Sequence, residues 1–246
     1  MYSRGWAVLL TGAALAVPAM ARVIFVDAQL ATGANDGSAW GNAFQGRLAL
    51  QGALSSATAG DEIWVADGTY APAGPGGSQL AAFVIPSGVA LYGGFAGGEI
   101  DRAQRAPAQH VATLTGNLSS DASSAENSAH VVRIENASAA TRLDGVHVRD
   151  GVADVDQALP RLGGCVLVIG GAPLIANCTI ADGEASGGGG LAITGGANGT
   201  VVDTTFAGST ASFGANAFVS GGSRVTFQRC DFVGTSHVTG GSTGVG

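Results

Sequence analysis

The sequence contains no lysine. Its 246 residues carry 11 basic side chains, all arginine, against 18 acidic ones, for a formal net charge of −7. A surface of that sign excludes a basic footprint for nucleic acid and a polybasic attachment to anionic lipid. It would also repel a polyanionic sugar unless calcium bridged the two. Cysteine is scarce as well. There are three, at spacings of 13 and 52 residues. An odd, sparse set is no disulfide framework for an exported protein, and the spacings match no zinc pattern. Aromatic residues make up 6% of the chain and form no row of sugar-stacking rings. Past the N-terminus no apolar run is long enough to cross a bilayer.

The N-terminus itself reads as a secretion signal. Arg4 supplies the positive region, "GWAVLLTGAALAV" the apolar region, and Ala19-Met20-Ala21 a small-x-small cleavage site. Pro18 interrupts the run, which is short for a membrane span. Residues 1–21 are therefore expected to be a signal peptide. Residues 22–246 would then form a single domain, secreted or held at the cell surface (extracellular or outer membrane), with no transmembrane segment after cleavage. Loss of Arg4 leaves 10 arginines against 18 acids, a charge of −8.

What the chain does have is glycine, 41 residues, together with 46% hydrophobic residues. There is no collagen period, and a disordered glycine-rich chain would lack that much Val, Ile, Leu and Phe. The glycines punctuate a structure with a core. Four segments align by their apolar positions: "LDGVHV" from Leu143, "IANCTI" from Ile175, "VVDTTF" from Val201 and "FQRCDF" from Phe227. The steps are 32, 26 and 26 residues. A second column, "CVLVIGG", "GLAITGG" and "AFVSGG", alternates with the first and ends each time in a Gly-Gly pair. Short β runs at such a period mean a solenoid whose repeats must stack to bury a core. With no helical pattern between them, the expected fold is all-β, a parallel β-helix.

Inward positions fall at 0, +3 and +5, where a flat strand would give 0, +2 and +4. The chain must bend at +2, the place of Gly145, Asn177, Asp203 and Arg229. Gly enters the left-handed region freely and Asn and Asp tolerate it, so Asn177 and Asp203 are expected corner residues and Arg229 the odd one. Cys178 and Cys230 then share one core ladder with Val146 and Thr204. They lie two rungs apart, about 9 to 10 Å, too far for a disulfide. They are expected to be free and buried. The 32-residue step comes from an insertion, residues 150–164, that bulges out after Arg149.

Residues 22–110 read as an N-terminal cap and irregular first rungs, and 111–246 as regular rungs. Leu50, Ala53, Leu54 and Ala57 have helical spacing ended by Gly60, giving a short capping helix over the first rung. Trp40 and Trp64 are expected to pack this cap, and His130 to be structural at a strand start. At the other end, "SHVTGGSTGVG" follows a rung with no cap or anchor motif. That end reads as uncapped or truncated: either the chain is a fragment, or its open edge is expected to be covered by a stacking partner or another copy.

The stretches "VDA…TGANDGSAWGNAF…ATAGDEIWVADGTY", "GVALYGGFAG" and "NSAHVV", with the "PLIANCTI" and "GGGGLAITGG" rungs, resemble a bacterial family. Its members are secreted or surface right-handed parallel β-helix proteins, similar to polymorphic outer-membrane-protein repeats and pectin-lyase-like in fold. The resemblance covers about Val23 to Phe232. It implies the right-handed hand of the helix and a bacterial cell-surface setting. It implies no single activity, because the family holds adhesin-like proteins as well as polysaccharide-active ones.

Two functions remain. The first is a non-catalytic scaffold for adhesion or interaction, its ligand a surface polysaccharide or a protein. The alternative is a carbohydrate-active enzyme, most naturally a polysaccharide lyase. A lyase needs a base, and calcium or another cation on the substrate's acid. The candidates for such chemistry are Arg149, Asp150 and Arg161. For calcium, the only cofactor the sequence raises, they are Asp150, Asp154 and Asp156. The four Asn-x-Ser/Thr matches (Asn117, Asn136, Asn177, Asn198) read as chance in a chain rich in these residues.

Overall fold

The computed structural model describes residues 21–119, 121, 123–153 and 160–234. The signal-peptide reading of residues 1–21 rests almost wholly outside them. So does the reading of an uncapped end, which concerns residues 235–246.

The strands stack in parallel into walls. The first wall has eight strands, among them Val23–Asp27, Glu62–Ala66, Ala90–Phe95, Arg142–Asp144, Leu174–Ala176, Asn198–Val202 and Arg224–Gln228. The second has six, from Gly68–Tyr70 to Asp231–Val233, and the third five, from Phe83–Ile85 to Ala217–Val219. A short fourth wall pairs Glu184–Gly187 with Thr210–Phe213, and the two arms of the insertion extend it through bridges Val152–Glu184 and Leu162–Gly187.

The inward ladders follow the register read from the sequence. Ile175 stands between Leu143 and Val201, and Val201 pairs with Phe227. Ile180 stands between Val148 and Phe206, and Phe206 pairs with Phe232. Between these ladders Thr204 is buried. Its hydroxyl donates to the Val202 carbonyl at 2.9 Å and accepts from the Cys178 amide at 3.4 Å, so the polar atom is satisfied inside the core. Cys165, Cys178 and Cys230 are free thiols, but only the first two are buried: Cys230, on the last described rung, is partly exposed, contrary to the expectation. Burial pushes the pKa of Cys165 and of Cys178 up to about 12, which keeps both protonated and inert.

The corner after the first wall is left-handed in every regular rung: φ is +74° at Gly145, +52° at Asn177, +49° at Asp203 and +50° at Arg229. Side chains at these corners pair along the stack. The Asn177 amide donates to Asp144 Oδ1 at 2.9 Å, and the Arg229 guanidinium grips Asp203 with two bonds of 2.6 and 2.8 Å. That grip draws the Asp203 carboxyl below its usual range and accounts for an arginine at a glycine-like position.

Helix Ala49–Ser56 closes the N-terminal end, with Leu50, Ala53 and Leu54 buried against the tube's core. Trp40 and Trp64 do not pack this helix, contrary to the expectation from sequence. Strand alternation sends Ile63 and Val65 inward and Trp64 outward, in register with Phe25 and Tyr92. These rings, with Trp40 and Phe95, form a second apolar cluster on the outer face of the first wall. Arg102, Arg105 and Arg142 lie over Tyr92.

Between the second and third walls the tube is narrow enough for backbones to meet. A Cβ on Gly151 would lie 1.8 Å from the Gly164 carbonyl oxygen, and one on Gly183 would lie 2.0 Å from that of Gly189. The glycine run 187–190 is part of this neck.

His130 is buried at 1% exposure. Its Nδ1 donates to the Gly163 carbonyl at 3.0 Å, and its Nε2 has no partner. Burial lowers its pKa below the ordinary value, the Gly163 bond opposing this in part. The unfolded chain takes up the proton near pH ~6.5 and the folded one at lower pH. The stabilisation is therefore full above ~6.5 and lost as pH falls from there through the folded value. His147, lowered by burial and then by Arg149, acts with the same sign. The melting temperature is expected to be lower at about pH 5.5 than at about pH 7.5, and the difference to shrink in His130→Gln. An unchanged difference in that variant would remove His130 from the account.

Candidate functional site

The second wall ends in its own left-handed corner, with φ of +66° at Asp150, +55° at Asp182 and +63° at Gly208. Asp150 follows Arg149 as Asp182 follows Ala181, one rung on. A Cβ on Gly208 would fall 2.4 Å from Asp182 Oδ1, so glycine there leaves room for that carboxylate.

Beside this corner lies a groove of about 510 Å³, bordered by Asn117, Asp121, Ser123, Ser124 and Asn127, by the Asp150 and Asp182 corners and by Glu184 and Thr210 of the fourth wall. That volume is within the usual range for ligand sites. Arg149 lines the groove with its side chain half exposed, its Nε 3.1 Å from Asp150 Oδ2 and a terminal nitrogen 3.0 Å from Asp182 Oδ2. The Thr115 hydroxyl donates to Asp150 Oδ2 at 2.8 Å, which fixes that carboxylate from the neighbouring strand. The Asn127 amide donates to the Asp150 carbonyl at 2.8 Å, anchoring the loop to the corner. Glu184 and Thr210, paired across the fourth wall, complete the exposed edge.

Of the residues singled out from sequence, Arg149 and Asp150 come together. Arg161 does not join them. It lies on the returning arm of the insertion, where its carbonyl accepts from the Ser186 and Gly187 amides, and it does not line the groove. Asp154 and Asp156 lie outside the described residues. Asp144 is around a corner on the first wall. There its carboxylate is held by Arg105 at 2.7 Å and Arg142 at 2.9 Å. Asp182, Glu184 and Asn127 escape the sequence reading. The repeated Asp-Gly pair at 150–151 and 182–183 was a legible signal for the first of them. Among the described residues, no three Asp, Glu, His or Cys side chains converge on a point a metal ion could occupy.

Residues 129–243 match the family model described as a right handed beta helix region. The fold is a right-handed parallel β-helix. This β-helix also resembles the crystal structure of pectate lyase Pel9A, at 16% identity and a TM-score of 0.49, over 86% of this chain and 48% of that one. The chain thus spans about half the length of that lyase. No curated protein matches the sequence. No helix among the described residues is long and apolar enough to cross a membrane.

Proposed function

We propose that this β-helix is an exported, non-catalytic scaffold for adhesion or interaction at the cell surface, with the groove beside Arg149 as its docking site. The observation that carries the reading is the state of Arg149. It is the cation among the described residues lining the groove, and it is tied to Asp150 and Asp182. A guanidinium held by two carboxylates is a poor base for proton abstraction next to a sugar acid. The side chains whose acidity burial raises or lowers most, Cys165, Cys178 and Tyr70, lie in the core, away from solvent. Export is supported by the signal pattern of residues 1–21.

The test is an assay on polygalacturonate, alginate and chondroitin. No unsaturated product is expected. Its release at catalytic rates, abolished in Arg149→Ala, would replace the scaffold with a polysaccharide lyase.

A further inference from the structure

We infer that the foot by which the insertion returns to the tube, residues 160–164, is held by an acid-releasable clasp, with His130 as the group that opens it. The release is a property of the fold and holds whatever the groove binds. One segment, 127–132, fastens both feet of the insertion. On the outgoing side the Asn127 amide donates to the Asp150 carbonyl and the Val152 amide to the Ser128 carbonyl, each at 2.8 Å. On the returning side His130 Nδ1 donates to the Gly163 carbonyl at 3.0 Å, and the Val131 amide to the Gly164 carbonyl at 3.3 Å. His130 is the member of this set that titrates near neutral pH.

The ring resists a further proton where it stands. A carbonyl only accepts, so Nδ1 carries the hydrogen of the neutral imidazole. The added proton must go to Nε2, which is buried and has no hydrogen-bond partner among the described residues. A buried cationic N–H without an acceptor is costly. The neighbouring charges do not compensate. On the ring's own strand Arg133 opposes the proton and Glu135 favours it less strongly. The returning foot carries Arg161, and the fourth wall carries Glu184, which lines the groove. Neither gives Nε2 an acceptor. Cys165, next along the foot, stays a neutral thiol. The stretch 78–83, bonded to Ala129 and Val131 through Gln79 and Phe83, carries no ionisable side chain.

A charged ring therefore needs water at Nε2, and the foot is the part that can yield. Pro160 and Arg161 are already exposed, whereas Val131 and Val132, next in the clasp, are fixed in the core. Beyond the clasp the foot is joined to the fourth wall by the Gly163 amide on the Gly187 carbonyl and by the Arg161 carbonyl, which accepts from the Ser186 and Gly187 amides. The opened ring takes up its proton near pH ~6.5 and the closed one at lower pH. The clasp is thus at full strength above ~6.5 and weakens as pH falls from there towards the closed-state value. The foot also touches the outgoing arm, where Gly151 meets Gly164. Asp150 and Val152 of that arm line the groove, so release at the foot is felt at the groove's rim.

Amide hydrogen exchange of the whole chain by NMR, expressed as protection relative to the unstructured rate at each pH, tests this. Protection at Val131, Gly163, Ser186 and Gly187 is expected to fall about tenfold between about pH 7.5 and about pH 5.5. Protection at Leu174 and Thr205, bonded within the first and second walls, is expected to hold. In His130→Asn, whose side-chain amide replaces Nδ1 as donor and does not titrate, the fall is expected to vanish. His147→Gln removes the half-buried histidine of the second wall and is expected to keep it. Protection that is flat with pH, that falls equally in the walls, that still falls in His130→Asn or that no longer falls in His147→Gln overturns the inference. Should His130→Asn fail to fold, the titration of the His130 ring in the parent decides. Its midpoint is expected to coincide with the loss of protection, and a protonated ring under a protected foot overturns the clasp.

Discussion

Gly183→Ala is expected to destabilise the β-helix by about 3 kcal/mol or more, enough to abolish folding if the margin is ordinary. The added methyl would sit 2.0 Å from the Gly189 carbonyl oxygen and 2.7 Å from Cys165 Sγ. Neither can retreat cheaply. The 189–190 segment donates to the next rung through the Gly190 amide, and the Gly189 carbonyl accepts from the Cys165 amide at 3.0 Å. Relief at one rung therefore disturbs two others. Gly196→Ala is the control. Gly196 has φ +74° but open space around its Cβ position, so only the left-handed penalty of about 1–2 kcal/mol applies. Chemical denaturation of both variants checks the comparison. Equal losses would show that the close contact at Gly183 costs no more than the left-handed penalty at Gly196.

The second large effect is expected at Asp144. Its carboxylate is 1% exposed and takes bonds from Arg105 at 2.7 Å, Arg142 at 2.9 Å and Asn177 at 2.9 Å. Asp144→Ala leaves the Arg105 guanidinium, 17% exposed, without its counter-charge beside Tyr92. Breaking a pair at that depth costs about 3 kcal/mol. It should also loosen the segment 96–111, which Arg102 and Arg105 fasten to the first wall through Glu62 and Asp144. Asp203→Ala, which removes the solvent-facing partner of Arg229, is expected to be much milder. A denaturation midpoint for Asp144→Ala within about 0.5 kcal/mol of the parent would show that solvent screens this site as it does the surface.

The regular rungs were legible because their period is local and repeated. The offsets 0, +3 and +5 required a bend, and the bend lies at the residue they indicate, even where that residue is Arg229. The corner at Asp150 and Asp182 was harder, because its third member is Gly208 and a column mixing Asp with Gly has no hydrophobic signature. The groove was harder still. Asn127 approaches Asp150 only because successive turns of the tube stack, and no spacing along the chain encodes that approach. The outer aromatic cluster had a faint signal. "IWV" in Glu62–Ala66 and "LYGGF" in Ala90–Phe95 lack the polar alternation of a wall facing water, the mark of a strand covered on both faces.

The thiols sit at three depths of one growing stack. Cys165 touches the Ala181 carbonyl, Cys178 accepts its cover from the Leu143 and Thr204 rungs, and Cys230 lies beyond both, partly open. Each also meets a carbonyl of a neighbouring segment or rung, Ala181 for Cys165, Leu143 for Cys178 and Val201 for Cys230. Cys165 and Cys178 become unreactive only when the turns beside them have docked. For Cys165 and Cys178 the order of assembly is thus also a chemical safeguard, since a chain that stalls part-way exposes these two thiols and a finished one buries them. The cysteines make the β-helix a recorder of its own winding.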